Sequence, residues 1–139
     1  MANSMKSPTE IRSSKMECCQ EHRASLDCLA MPRGLDAKGK EAYKAIIAFL
    51  KKRGMTYTGG CKVFYSPQEW RQRGEKYGLK SKLIITYDGG DHARAFSMDH
   101  CYVTGAASDY EPNEAMQKAL KAVGCYAEEC TGWYAAVYE

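Results

Sequence analysis

Hydrophobic and polar positions along the chain fall into two regimes that meet near Pro32-Arg33-Gly34. Before that point apolar residues are sparse. Ser7-Pro8-Thr9-Glu10 still has the form of a capping box with proline at the first helical position. Ile11, Cys18, His22, Ser25, Leu26 and Leu29 then recur at helical spacings and predict a weak amphipathic helix that ends before Pro32. After Pro32 the periodicity strengthens. Tyr43, Ile46, Ile47 and Leu50 follow the i, i+3, i+4, i+7 pattern of a core-facing helix, with Asp36 as its N-cap and Gly54 as its stop. The change in periodicity divides the chain into an N-terminal helical or partly ordered segment, 1–34, and a single domain, 35–139. The first segment is expected to be dispensable for folding of the second.

Met55 to Tyr65 reads as extended chain around a Gly59-Gly60 turn. Ser66-Pro67-Gln68-Glu69 is a second capping box, opening a short helix that runs through Trp70 to Tyr77 and closes at Gly78. Leu83-Ile84-Ile85-Thr86-Tyr87 is the clearest strand, rich in β-branched residues and too short for an ordinary helix. Residues 91–111 carry no consistent period. Pro112 then begins a helix with Met116, Ala119, Leu120 and Val123 as its buried stripe and Gly124 as its stop. Tyr126–Cys130 and Trp133–Tyr138 predict a terminal hairpin. On its second strand Trp133, Ala135 and Val137 share one face, and Tyr134, Ala136 and Tyr138 the other. The result is an α+β domain: about four mainly antiparallel strands with three helices packed on one face.

A length of 139 residues suffices for one such core without staples. No apolar run approaches the length of a membrane span, and the N-terminal thirty residues lack the apolar core of a secretory signal, so a cytoplasmic location is expected. Seven cysteines in an odd, irregular set are then expected to be reduced and to behave as small apolar residues.

Charge is what separates the two halves of the domain. Residues 37–82 hold twelve Lys/Arg against three Asp/Glu, and residues 83–139 hold three against nine. Lys38, Lys40, Lys44, Lys51, Lys52 and Arg53 lie on the first helix of the domain. Arg71, Arg73, Lys76, Lys80 and Lys82 lie on or after the second. If both helices present their charges together, Lys51, Lys52, Arg71 and Arg73 form a cationic face for a nucleic-acid backbone, an acidic protein, or the acidic half of a second copy. The overall net charge of +3 is modest for a dedicated nucleic-acid binder, and no base-reading motif is present.

Three other groupings could carry chemistry. Asp88, Asp91, His92, Asp99 and His100 follow the best strand. Carboxylates and histidine there could hold a metal ion and activate water, as in a small metal-dependent hydrolase, with Asp88, Asp91 and His92 as ligands. The competing reading is that Asp88-Gly89-Gly90-Asp91 is a tight turn. Cys18, Cys19, His22 and Cys28 are a soft-ligand cluster without paired C-x-x-C spacing. Cys61 and Cys130 each lie at a glycine turn where a thiolate could meet backbone N–H groups, but no signature joins either to a histidine. P-loop, Gly-x-Gly-x-x-Gly, Gly-x-Ser-x-Gly and His-Glu-x-x-His motifs are all absent from the sequence, and no cofactor is expected. The sequence therefore favours a binding protein without catalytic activity, contacting a protein or nucleic-acid partner through its basic face.

Overall fold

A computed structural model describes residues 26–98 and 109–139. A 3₁₀ turn, Leu26–Leu29, leads to α1 (Ala37–Arg53), β1 (Phe64–Tyr65), α2 (Pro67–Gln72), β2 (Leu83–Thr86), α3 (Ala93–Phe96), α4 (Glu111–Lys121), β3 (Tyr126–Thr131) and β4 (Tyr134–Tyr138). The four strands form one antiparallel sheet in the order β1-β2-β4-β3. Because β2 pairs with β4, the terminal hairpin closes the sheet against the strand most evident in the sequence, with Leu83 opposite Val137 and Ile85 opposite Ala135.

The helix ends follow the local signals. The Asp36 side chain accepts from the Gly39 N–H at 2.7 Å, and Gly54 ends α1 in the left-handed region at φ 69°. At α2 the Ser66 hydroxyl accepts from Glu69 N–H while the Glu69 carboxylate accepts from Ser66 N–H, a reciprocal cap worth roughly 1 kcal/mol. This helix is shorter than its apolar pattern suggests. It stops after Gln72, and Gly74, at φ 83°, turns the chain before Gly78 is reached.

Strand alternation sorts the core into two layers. Leu83, Ile85, Ala135 and Val137 face Ala42, Ile46 and Leu50 of α1 and Met116 and Leu120 of α4, all buried. Ile84, Tyr134 and Ala136 face the other way, onto Trp70 of α2. Three helices thus cover one face, as expected, but the third is α3, from the stretch without a legible period. The helix opened by Pro67 sits on the opposite face. Trp133 also departs from its expected face. It precedes β4 beside the irregularity between Glu129 and Thr131, and its ring lies 5.8 Å from Trp70 and 4.7 Å from Tyr134.

The core extends to the N-terminal side of residue 35. Cys28 and Leu29 are almost fully buried, and Pro32 is buried too. The Leu29 carbonyl accepts from the Tyr43 hydroxyl at 2.6 Å, and the Cys28 carbonyl accepts from Val63 N–H at 3.0 Å, on the outer side of the short edge strand β1. The boundary drawn at residue 34 therefore cuts through packed structure. The helix expected over residues 7–25 lies outside the described residues. Among the described residues, no helix is long and apolar enough to cross a membrane.

Candidate functional site

The four cations expected to share one surface are not brought together. α1 and α2 pack on opposite faces of the sheet. Lys51 and Lys52 lie exposed in the last turn of α1, roughly 22 Å along its axis from Asp36. Beside them Arg53 is held by Glu111 through two bonds of 2.6 and 2.7 Å, which keeps that carboxyl below its usual range. Arg73 is committed to packing. Its guanidinium lies 4.8 Å from the centre of the buried Trp70 ring and 5.4 Å from that of Tyr65, with Glu75 at 3.5 Å.

Arg71 has a different setting. One of its N–H groups donates to the Leu79 carbonyl at 2.6 Å, fixing the fork over a cleft of about 260 Å³. The same cleft is lined by Lys80, Ser81 and Lys82 from the chain entering β2, by Gln68 of α2, and by Asp36 at the start of α1. Its lone lining carboxylate is already engaged. Asp36 accepts from Lys82 Nζ at 2.8 Å and from Gly39 N–H, in that order of effect, and both hold its carboxyl below the usual range. Lys82 is correspondingly raised, first by that hydrogen bond. Three cations thus line the cleft with one carboxylate, which Lys82 engages. Ser81 is 6% exposed, and its hydroxyl has no hydrogen-bond partner within the protein.

Asp88-Gly89-Gly90-Asp91 is a turn. Gly89 has φ 82°, Gly90 N–H donates to the Tyr87 carbonyl, and Asp91 N–H to the Tyr57 carbonyl. His92 is fully buried, whereas both aspartates are exposed. Its Nε2 donates to the Thr86 carbonyl at 2.8 Å, which leaves Nδ1 as the bare nitrogen. Nδ1 has no partner and is pressed against Gly90, where a Cβ would stand 2.6 Å away. Burial drives the His92 pKa down, outweighing the opposing effects of the Thr86 carbonyl and Asp91. The metal set Asp88, Asp91 and His92 is therefore not assembled. Among the described residues, no group of three His, Cys, Asp or Glu side chains is placed to hold a metal ion. Asp99 and His100 lie outside those residues.

The cysteines divide. Cys28 and Cys125 are not disulfide-bonded and are buried, as expected of small apolar residues. Cys61 is disulfide-bonded, which corrects the expectation of a wholly reduced set and removes it as a nucleophile. Cys130 is free, but burial and then Glu128 push its thiol up to about 11, the reverse of what a nucleophile needs. Cys18, Cys19 and His22 lie outside the described residues, and Cys28 is taken up by the core.

Comparison with family models, with curated proteins and with solved structures gives no match to this chain. The cleft must be read from its own chemistry. It offers two long cations, one planar guanidinium and a buried hydroxyl, with no histidine, cysteine or uncommitted carboxylate in its lining to transfer protons or attack a substrate. In charge and hydrogen-bonding capacity such a set is suited to an anion. Arg71 and its charged neighbours were legible as a charge run. The contribution of Ser81 and Asp36 was not, because it depends on where β2 begins relative to α1.

Proposed function

We propose that the protein is a binding protein without catalytic activity, whose partner is a nucleic-acid backbone engaged at the cleft between the start of α1, α2 and the chain entering β2. The observation that carries this reading is the convergence of Arg71, Lys80 and Lys82 on one concavity whose lining carboxylate is already paired. Phosphate contacts position a protein on nucleic acid without reading sequence, which suits a chain with no base-reading motif. The exposed Lys51 and Lys52, at the far end of α1, serve as a second and separate contact only for a ligand long enough to reach them.

Fluorescence anisotropy with single- and double-stranded DNA and RNA tests the proposal. Binding falls steeply with salt as counterions are released. Replacing Arg71 and Lys80 by Ala weakens it and lowers the slope of log K against log salt by about two. An absence of binding to every oligonucleotide at low salt refutes it. The acidic half of a second copy then becomes the partner to test, by sedimentation of the chain over a range of concentrations.

A further inference from the structure

We infer that the cleft is a pocket for a single phosphoryl group, with Arg71 and Lys80 as its cationic rim and the Ser81 hydroxyl as a buried donor. This rests on the reading of the cleft as an anion site and adds what kind of anion it takes and how it is held. Size comes first. At about 260 Å³ the cleft is below the usual range for sites that enclose a whole cofactor or drug-sized ligand, so it suits one compact group. Charge comes next. Lys82 is neutralised by Asp36, which leaves the charges of Arg71 and Lys80 for a ligand and matches a phosphoryl dianion better than a single carboxylate. Asp36 is the one acidic group in the lining. Its oxygens face Gly39 N–H and Lys82 Nζ, which offsets its repulsion of an anion.

Geometry of the donors supports the same ligand. Arg71 presents five N–H groups, and only one is spent on the Leu79 carbonyl, a bond that fixes the plane of the fork. Ser81 is the independent observation. Its side chain is more than nine-tenths buried in the cleft wall and its hydroxyl is unsatisfied. Buried polar groups in native proteins are nearly always paired, so an orphan beside an anion site has an explanation in the anion. The Ser81 backbone is held independently by its N–H bond to the Gly78 carbonyl. A phosphoryl group has three terminal oxygens, so guanidinium, ammonium and hydroxyl can each take one.

Two measurements on the full chain test the inference. The first is thermal unfolding and calorimetric titration with inorganic phosphate, for the wild type and for Ser81→Ala, Arg71→Ala and Arg71→Lys. The wild type binds phosphate saturably at roughly millimolar concentration or tighter. Ser81→Ala unfolds at a higher temperature than wild type without phosphate, because an unsatisfied buried hydroxyl has gone, yet binds phosphate about tenfold more weakly. That opposition of sign is specific to a hydroxyl kept for a ligand. Arg71→Lys keeps the charge and loses the fork, and it too binds at least several-fold more weakly. The second measurement compares short oligonucleotides with and without a 5′-phosphate. Preference for the phosphorylated end assigns the pocket to a terminal phosphoryl group, and equal binding of the two, with phosphate still saturable, assigns it to free phosphate.

Absence of saturable phosphate binding overturns the inference, as does a Ser81→Ala variant that binds phosphate like wild type. If oligonucleotides bind and depend on Arg71 and Lys80, but phosphate neither binds nor competes, the pocket fails and the proposed function stands. If phosphate binds through Ser81 and no oligonucleotide binds, the proposed partner fails and the pocket stands.

Discussion

Gly39→Ala should destabilise the protein, although helix propensity alone argues the reverse. Gly39 lies in the first turn of α1, where alanine is favoured over glycine by about 1 kcal/mol. A Cβ at this position would stand 2.6 Å from the Lys82 carbonyl oxygen. Close C–H···O contacts begin near 3.3 Å, so α1 and the entry to β2 must separate by roughly 0.7 Å. Neither side yields easily. Lys82 N–H is bonded to the Val137 carbonyl at 2.7 Å, and Gly39 N–H is bonded to Asp36. Overpacking against such a site costs about 1–3 kcal/mol, and part of the Asp36 cap, worth roughly 1 kcal/mol, is lost as α1 shifts. The net expectation is a loss of about 1–2 kcal/mol, or a fall in Tm on the order of 5 °C. Urea unfolding of wild type, Gly39→Ala and Ala48→Gly measures it. Ala48 is exposed on the same helix, so its replacement reports propensity without a clash. If Gly39→Ala equals or exceeds the wild type while Ala48→Gly loses about 1 kcal/mol, the close approach of α1 to Lys82 is refuted.

A chain beginning at Leu35 should be less stable than the full chain by about 2–5 kcal/mol, from loss of the buried Leu29 alone, and Leu29→Ala in the full chain should reproduce most of that loss in a denaturant titration. Gln117→Ala should promote concentration-dependent self-association, seen by light scattering. The Gln117 amide now bonds both the N–H and the carbonyl of Ala127, at 3.0 and 2.8 Å, and so covers the outer edge of β3. His92 should make stability fall as pH drops below about 6.5. The unfolded chain takes up a proton there, whereas the buried ring resists it until a lower, native pKa is reached, so the loss accumulates between those two values at up to about 1.4 kcal/mol per pH unit. His92→Gln should flatten the profile between pH 5 and 6.5, and an unchanged slope would refute the buried, neutral ring.

The elements that could be read from sequence are those whose signals are local. The Asp36 and Ser66 caps, the Gly54 stop and the run Leu83–Thr86 each depend on residues within a few positions, and each stands where it was expected. What failed depends on partners distant in sequence. Pro67–Gln72 was placed with the other helices because its capping box gives a start but not a side of the sheet. The side is set by Trp70, which packs on the face formed by Ile84, Tyr134 and Ala136. Ala93–Phe96 was missed because four residues are too few for a period, and its burial comes from packing beside α4, where the Asn113 side chain donates to the Ala95 carbonyl. Leu29 was assigned outside the domain because it closes the weak helical pattern that ends before Pro32, ahead of the stronger periodicity. Its place in the core follows from the Tyr43 hydroxyl reaching back to its carbonyl.

The site shows the same division more sharply. Charge counting identified Arg71, Lys80 and Lys82 as members of a basic half, but a count is blind to which charges are already paired. Arg53 is held by Glu111 and Arg73 by two aromatic rings, so two of the most conspicuous cations are structural. The polar residue that distinguishes the cleft from a solvated basic face carries no charge at all. Ser81 stands one position before Lys82, whose backbone carbonyl is pressed by α1 at Gly39 and whose ammonium caps Asp36 from the other side. Close packing at Gly39 and the Asp36–Lys82 pair therefore fix the wall in which the unsatisfied hydroxyl sits. A serine on a mobile loop would turn to water and carry no information. One buried in a wall fixed from two sides has its hydrogen-bonding capacity left over, and that unspent capacity, beside Arg71 and Lys80, is what the proposed phosphoryl group would use.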